Sequence, residues 1–472
     1  MSSANAGFLK AIPTAAAFAF VAVLLQPSGE PGVSVRAAAA SPQRGKSLVV
    51  VAPRSFHSAL ADFVKHKKRF LRTELVALEE ILENNSGVDD PEKLKRFLYE
   101  RWKNDRLGYA LLVGNCHIMP VRYMTLDRVT PAAFDWAFYP SDLYYADLAR
   151  ADGSFDNWNA RRQGFHAQYF GEVHGEKNKH DPINFDRIHY VPAIAVGRWP
   201  VANAEQSATV ARKTIRYENE LISERKPGAR VAALFVVNGW VDGRAQMDRA
   251  AGRMSSRYEI EKRYYGGGTP PTEHEVRTLL QQGAGVVFHV GHGSNTDWQG
   301  CCSLPALLAV RNADRLPVMI SAGCSTACCA ALPPYEAYLD IHGRRHKGTN
   351  QGEVFTAPPP PPAPYQAHPA KAISLGEGVV ISGDNGAAAY IGCNTGGQPC
   401  ALTLLEGFAL GLGQGKDPRL GDAWITALRH YYAAEHLVTL KPTADWYPPS
   451  IFFQGMKYMV FGDPSLAMPA AK

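Results

Sequence analysis

Short, wholly apolar runs recur along the chain, separated by segments in which apolar positions return at helical spacing. Residues 47–53 (SLVVVAP) read as a buried strand, and His57 to Phe70 as a helix with Leu60, Phe63 and Val64 on one face. Asp90 followed by Pro91 marks a helix start, a capping carboxylate before a proline at the first helical position. Leu94, Phe97, Leu98 and Trp102 continue that helix. Tyr109 to Val113 is the next buried strand, closed by Gly114. The pattern is then lost over 139–187, a long segment rich in Asp, Asn, Gly and aromatic residues, which reads as a functional loop. Val191 to Val196 resumes the sheet and ends at Gly197-Arg198, and Glu205 to Tyr217 is helical.

A second block is built the same way. Val231–Val237, Gly285–Val290, Leu316–Ser321 and Ala387–Ile391 read as strands, and Gln246–Tyr258, His274–Gln282, Leu402–Leu412 and Asp422–Ala434 as helices. Strands interleaved with helices predict an α/β fold. The run from Pro358 to Pro364 can be neither helix nor central strand. It predicts a stiff, extended, solvated insertion within residues 340–370. No internal repeat is visible.

Composition narrows the picture. The chain has 472 residues, 46% hydrophobic and 20% charged, enough for two or three domain-sized units and incompatible with global disorder. The net charge of +6 is small for this length and no dense Lys/Arg stripe occurs, which argues against nucleic acid as a partner. Lys10, the apolar stretch Ala11 to Leu25 and the small residues Ala38-Ala39-Ala40 have the layout of an export signal over residues 1–40. The alternative is an uncleaved anchor; no other stretch is long and apolar enough to span a bilayer. The chain thus divides into a signal (1–40), an N-terminal α/β subdomain (41–204) and a second subdomain (205–466). A secreted or periplasmic protein able to form disulfides is expected.

Seven of the eight cysteines lie between Cys301 and Cys400; Cys116 stands apart. No CxxC pair faces a second, so the spacing of a four-thiolate zinc site is missing. The adjacent pairs Cys301-Cys302 and Cys328-Cys329 read as disulfide formers, and Cys393 and Cys400 are near enough in sequence to close a small loop.

Two strand ends carry chemistry. Gly291-His292-Gly293-Ser294 follows the strand ending at Val290, and Ala322-Gly323-Cys324-Ser325-Thr326 follows the strand ending at Ser321. Sites in α/β sheets form where loops leave the carboxyl ends of strands. An imidazole and a thiol on consecutive strand ends are the pair that thiol nucleophilic catalysis needs. Gly293 lacks a Cβ, so its N–H can approach a substrate carbonyl. With the Cys324 N–H it would form an oxyanion hole worth about 2.7–4 kcal/mol per donor. The alternative from spacing alone is a histidine in a glycine turn and a cysteine committed to a disulfide.

Taken together with this pair, six segments in order resemble the gingipain-type family of the caspase–gingipain–legumain clan of cysteine peptidases. They are Leu111-Leu112-Val113-Gly114, Ser141-Asp142-Leu143-Tyr144-Tyr145, Val196-Gly197-Arg198, Gly291-His292-Gly293-Ser294 with Trp298, the small-residue–Cys324 strand end, and Phe461-Gly462-Asp463-Pro464-Ser465-Leu466. The resemblance implies a caspase-like αβα sandwich of mostly parallel sheets in two subdomains. It implies Cys324 as nucleophile, His292 as general base and acid, and the Gly293 and Cys324 amides as oxyanion donors. An acidic residue that orients the histidine is implied in the loop after Val231–Val237, where Asp242 is the only carboxylate. In Arg-specific members the acidic residue of the Ser-Asp segment belongs to the pocket for the basic side chain, which implies that Asp142 favours Arg or Lys before the scissile bond.

Family members also bind structural calcium, and the long loop offers hard oxygen ligands in Asp147, Asp152, Asp156 and Glu172. No organic cofactor is required, and the expected partners are protein or peptide substrates. The chain departs from the family pattern at Cys328-Cys329, close behind the nucleophile, and at the 340–370 insertion. It ends soon after Leu466, so no immunoglobulin-like or sorting domain is expected, and the stretch before 108 leaves little room for a large prodomain. The reading is an exported cysteine endopeptidase. Its rivals are an inactive relative serving as a binding module and a transpeptidase on the same dyad.

Overall fold

The strands that the apolar runs predict belong to one sheet. The computed structural model describes residues 45–125, 138–158, 190–223, 229–356, 359–366, 373–440 and 449–469. The expected signal at 1–40 lies outside them. The sheet strands are β1 (Ser47–Ala52), β2 (Arg72–Ala77), β3 (Leu107–Val113), β4 (Ala195–Trp199), β5 (Val231–Val236), β6 (Glu259–Tyr264), β7 (Val286–Val290), β8 (Val318–Ser321), β9 (Ala389–Cys393) and β10 (Tyr458–Phe461). Their order is β2-β1-β3-β4-β10-β9-β8-β7-β5-β6. Every neighbouring pair is parallel except β9–β10.

Alternate strand residues feed two cores. Leu48, Val50 and Ala52 join one, and Val49 and Val51 the other. A strand buried on both faces has no polar side, which is why these runs are continuously apolar. One face is covered by α1 (His57–Lys67), the first half of α3 (Ala204–Ile222), α5 (Glu273–Gln282) and α6 (Leu375–Ile381). The other is covered by α2 (Asp90–Asp105), α4 (Arg244–Met254), α7 (Ala401–Gly413) and α8 (Leu420–Ala434). The fold is an αβα sandwich. Among the described residues no helix is long and apolar enough to cross a membrane.

Residues before 204 supply four neighbouring strands and residues after it supply six. The two groups meet where β4 runs beside β10, through Phe461 opposite Arg198 and the Gly462 N–H on the Arg198 carbonyl at 2.9 Å. A Cβ on Gly197 would lie 2.3 Å from the Gly462 carbonyl, so only glycine permits this approach. The Arg198 guanidinium is fully buried. It grips both Asp142 oxygens at 2.8 Å and donates to the carbonyls of Met119 (3.1 Å), Pro120 (3.2 Å) and Gly114 (3.3 Å). Beside it Lys67 Nζ reaches Glu218 and Asp463, each at 2.8 Å, and His66 Nε2 reaches the other Glu218 oxygen at 2.8 Å.

Several expectations need correction. The α2 cap is Asp89, whose carboxylate accepts from Glu92 N, and not Asp90. Strand β4 begins at Ala195 rather than Val191, because Pro192 offers no N–H to a ladder. The edge strands β2 and β6 and the short β10 went unpredicted; RTELVA and EIEKRY carry the charges that edges use to discourage further pairing. The described part of the proline run, residues 359–364, is extended but not solvated. Pro359, Pro361 and Pro362 are buried. The strap pairs with the Leu339–Ile341 segment through Ala363 N to Leu339 O and Ile341 N to Pro361 O. It continues to the 116–121 segment through Val121 N to Pro364 O and Gln366 N to Cys116 O. Proline carbonyls accept freely, and a residue without an N–H leaves no buried donor to satisfy.

Replacing Arg198 with Met would leave the Asp142 carboxylate unpaired in the core. Urea unfolding should show a loss of about 3–5 kcal/mol. The Glu218 carboxyl, raised by burial, is brought well below its ordinary 4.5 by Lys67 and by hydrogen bonds from His66, Lys67 and Ala467. Its contribution is complete above that pH and is lost as pH falls below it. Stability measured against pH should therefore drop more steeply on the acid side for the natural chain than for Glu218→Gln.

Candidate active site

Strands β9, β8, β7 and β5 are consecutive neighbours and all parallel, so their carboxyl ends share one edge of the sheet. Each sends one loop there. Ser321 pairs with His289, which brings the loops after β8 and β7 side by side. Their backbones touch: a Cβ on Gly323 would lie 3.0 Å from Gly293 Cα, and one on Gly293 would lie 2.7 Å from Thr326 Cγ2 and 2.8 Å from the Cys324 carbonyl oxygen. Two glycines let the histidine and cysteine loops approach this closely.

Cys324 is half-buried, and its Sγ accepts the Gly397 N–H at 3.2 Å, from the loop after β9. The Gly396 carbonyl, in the same peptide group as that N–H, accepts from the buried Lys457 Nζ at 3.4 Å. Ser325 takes φ +55°, a left-handed conformation that non-glycine residues seldom adopt. It is held there by its N–H on the Thr395 carbonyl at 2.8 Å and by Ala327 N on the Cys393 carbonyl at 3.0 Å. Strain of this kind gathers at functional sites.

His292 is exposed, and its Nε2 lies 2.8 Å from the Gly239 carbonyl in the loop after β5. A carbonyl only accepts, so Nε2 carries the proton and the neutral ring keeps its lone pair on Nδ1. The ring and Sγ are not hydrogen-bonded to each other; their bonds run to Gly239 and Gly397. The backbone N–H groups of Gly293 and Cys324 have no acceptor among the described residues. Beneath the loops, His289 stacks on Trp298 with centroids 4.6 Å apart, and its Nδ1 meets Ser321 Oγ at 2.9 Å. That hydroxyl accepts the Gly323 N–H at 3.0 Å, and Trp298 Nε1 donates to Tyr390 Oη at 3.1 Å. Burial lowers His289 to about 3, so this second histidine stays neutral. Burial also pushes other thiols up, Cys302 to about 12 and Cys393 and Cys400 to about 11.

The remaining expected residues lie elsewhere. Asp242 does not reach His292. It is exposed and forks onto Arg244 at 2.7 and 2.8 Å, and hydrogen bonds from Arg244 hold its carboxyl far below the usual range. Asp142 is turned inward, both oxygens committed to Arg198, and so offers no free charge to a substrate. Asp147 accepts from Tyr190 N at 2.9 Å, Asp152 from Ser154 N at 2.9 Å, and Asp156 from Arg150 Nε at 3.4 Å. Among the described residues no three His, Cys, Asp or Glu side chains gather as metal ligands. Glu172 lies outside the described residues. Asp147 and Asp156 both attract Lys95, which is buried between the rings of Tyr144 (4.5 Å) and Trp158 (4.7 Å) and lowered by that burial to about 8. Sequence reasoning missed the Gly239 carbonyl, the Gly397 N–H and Lys457. The only trace of the second is a Gly-Gly pair shortly after β9.

Gly293→Ala should force the two loops apart. A displacement near 1 Å is enough to slow a positioned reaction by about a hundredfold. The alkylation rate of Cys324 by iodoacetamide, compared between the two chains, measures it; an unchanged rate would show that the loops yield freely.

Comparison with known proteins follows the same outline. The model of peptidase family C25 matches residues 41–469. The crystal structure of the Arg-specific cysteine proteinase gingipain R is 16% identical, with a TM-score of 0.57 over 91% of this chain and 79% of that one. The complex of Porphyromonas gingivalis RgpB pro- and mature domains is 17% identical, with a TM-score of 0.56 over 89% of this chain and 79% of that one. At this identity the likeness is one of fold. No curated protein matches the chain. By the family match, which spans nearly its whole length, the chain belongs to peptidase family C25, the gingipain family of cysteine peptidases.

Proposed function

We propose that the chain is an exported endopeptidase that cleaves peptide bonds through Cys324 and His292. The observation that carries this is the contact of the Gly293 and Gly323 backbones, which sets a half-buried thiol and an exposed imidazole on adjoining loops. Sγ of Cys324 attacks the scissile carbonyl carbon, and the thiol proton passes to His292 Nδ1. The Gly239 carbonyl, in the role expected of Asp242, keeps the ring in the required tautomer. The oxyanion is met by the N–H groups of Gly293 and Cys324. Collapse expels the amine, which takes the proton from His292, and leaves a thioester on Cys324. Water then attacks the thioester with His292 as base, releasing the acid and the thiol. The Gly397 N–H supports the thiolate, and Lys457 strengthens that donor by polarising the same peptide group. A preference for Arg or Lys would need a carboxylate other than Asp142.

A thiol-directed peptidyl probe tests the reading on the chain without residues 1–40. Labelling should fall on Cys324 and vanish in Cys324→Ala. His292→Ala should slow it by about 10²–10⁴-fold. Labelling of Cys400 or Cys301 instead, or equal labelling without His292, would refute the dyad. Labelling without hydrolysis of any peptide in a library would favour the binding-module alternative.

A further inference from the structure

Away from the reacting loops, Sγ of Cys116 and Sγ of Cys329 lie 3.2 Å apart, both in the core. Cys116 follows Gly114 and Asn115 at the end of β3, in the first half of the sheet. Cys329 lies on the segment that leads away from Cys324. Disulfide sulfurs sit about 2.05 Å apart, so closure needs a travel of only about 1 Å. Neighbouring sulfurs are turned elsewhere: Cys328 Sγ faces the Ala330 carbonyl at 3.4 Å, and Cys324 Sγ faces Gly397. Cys393 and Cys400 have different partners, Gln454 and Tyr431.

Both backbones are held independently of the sulfurs. Asn115 N donates to the Val201 carbonyl at 2.9 Å, and the proline strap donates Gln366 N to the Cys116 carbonyl at 3.0 Å. On the other side, Ala327 N is tied to the Cys393 carbonyl at 3.0 Å. The Arg198 guanidinium attracts the negative charge of either thiolate, which is the form that exchange requires.

We infer that Cys116 and Cys329 form an intrachain disulfide as the chain folds in an oxidising compartment, tying the Cys324 segment to the first half of the sheet. Both S–H bonds break and one S–S bond forms. The two electrons and two protons pass to the disulfide of an exchange partner, a protein disulfide or an oxidised small thiol, which leaves as two thiols. Both sulfurs are buried, so an outside reductant reaches the closed pair slowly. Cys324, half-buried, stays open to reductant. A mild reductant therefore restores the reactive thiol without opening the staple. The inference does not depend on peptidase activity.

The test is thiol mapping of the chain folded in a glutathione redox mixture. Free thiols are alkylated in denaturant without reductant, and the digest is analysed by mass. The expected product is a joined pair of peptides containing Cys116 and Cys329, lighter by two hydrogens than the free peptides, with Cys324 alkylated. Cys116→Ser and Cys329→Ser should each lower the melting temperature by about 2–5 °C. The double variant should melt no lower than either single one, and Cys328→Ser should keep the joined pair. Alkylation of both Cys116 and Cys329, or Cys328 joined in place of Cys329, would overturn the inference. If a serine variant does not fold, the map of the natural chain decides alone.

Discussion

A guanidinium with no access to water must find its partners inside the protein, and Arg198 sits where the two halves of the sheet meet. A buried cation is tolerated only when paired and hydrogen-bonded. That requirement draws in Asp142 and the carbonyls of Gly114, Met119 and Pro120. Segments in which the sequence resembles the family, Leu111–Gly114, Ser141–Tyr145, Val196–Arg198 and Phe461–Leu466, therefore converge on one seam. The seam is a structural centre, separate from the loops that carry His292 and Cys324.

From that seam the order β10-β9-β8-β7-β5 places four loops in series along one edge. Backbone groups do most of the positioning there. The Gly239 carbonyl fixes the His292 tautomer, the Gly397 N–H meets Sγ, and the N–H groups of Gly293 and Cys324 face no acceptor among the described residues. Backbone dipoles carried by a parallel sheet need no reorganisation when charge develops, which is what electrostatic stabilisation of a transition state demands.

This explains what could be read in the sequence. Strands buried on both faces announce themselves as apolar runs, so β1, β3, β5, β7, β8 and β9 were legible to within about two residues. His292 and Cys324 stood out because side chains of reactive type followed two such runs. Edge strands with charged faces lacked that signal, whereas the run Tyr458–Phe461 carried it but was too short to tell a strand from a buried helical turn. Asp142 and Asp242 were legible as carboxylates, but not as partners of Arg198 and Arg244, because a side chain's partner depends on the tertiary fold. The carbonyl that His292 meets belongs to a glycine and has no side-chain signature. The proline run misled because its burial depends on a pairing with Leu339–Ile341 and the 116–121 segment that no local pattern reveals.

The central claim is that these four loops form one reacting centre. A crystal structure of the chain covalently bound to a peptidyl aldehyde tests it most directly. The account predicts a thiohemiacetal on Cys324 Sγ, its oxygen within hydrogen-bond distance of Gly293 N and Cys324 N, with His292 Nε2 still on the Gly239 carbonyl. An adduct on another cysteine, or an oxygen turned away from Gly293 with His292 released from Gly239, would contradict it.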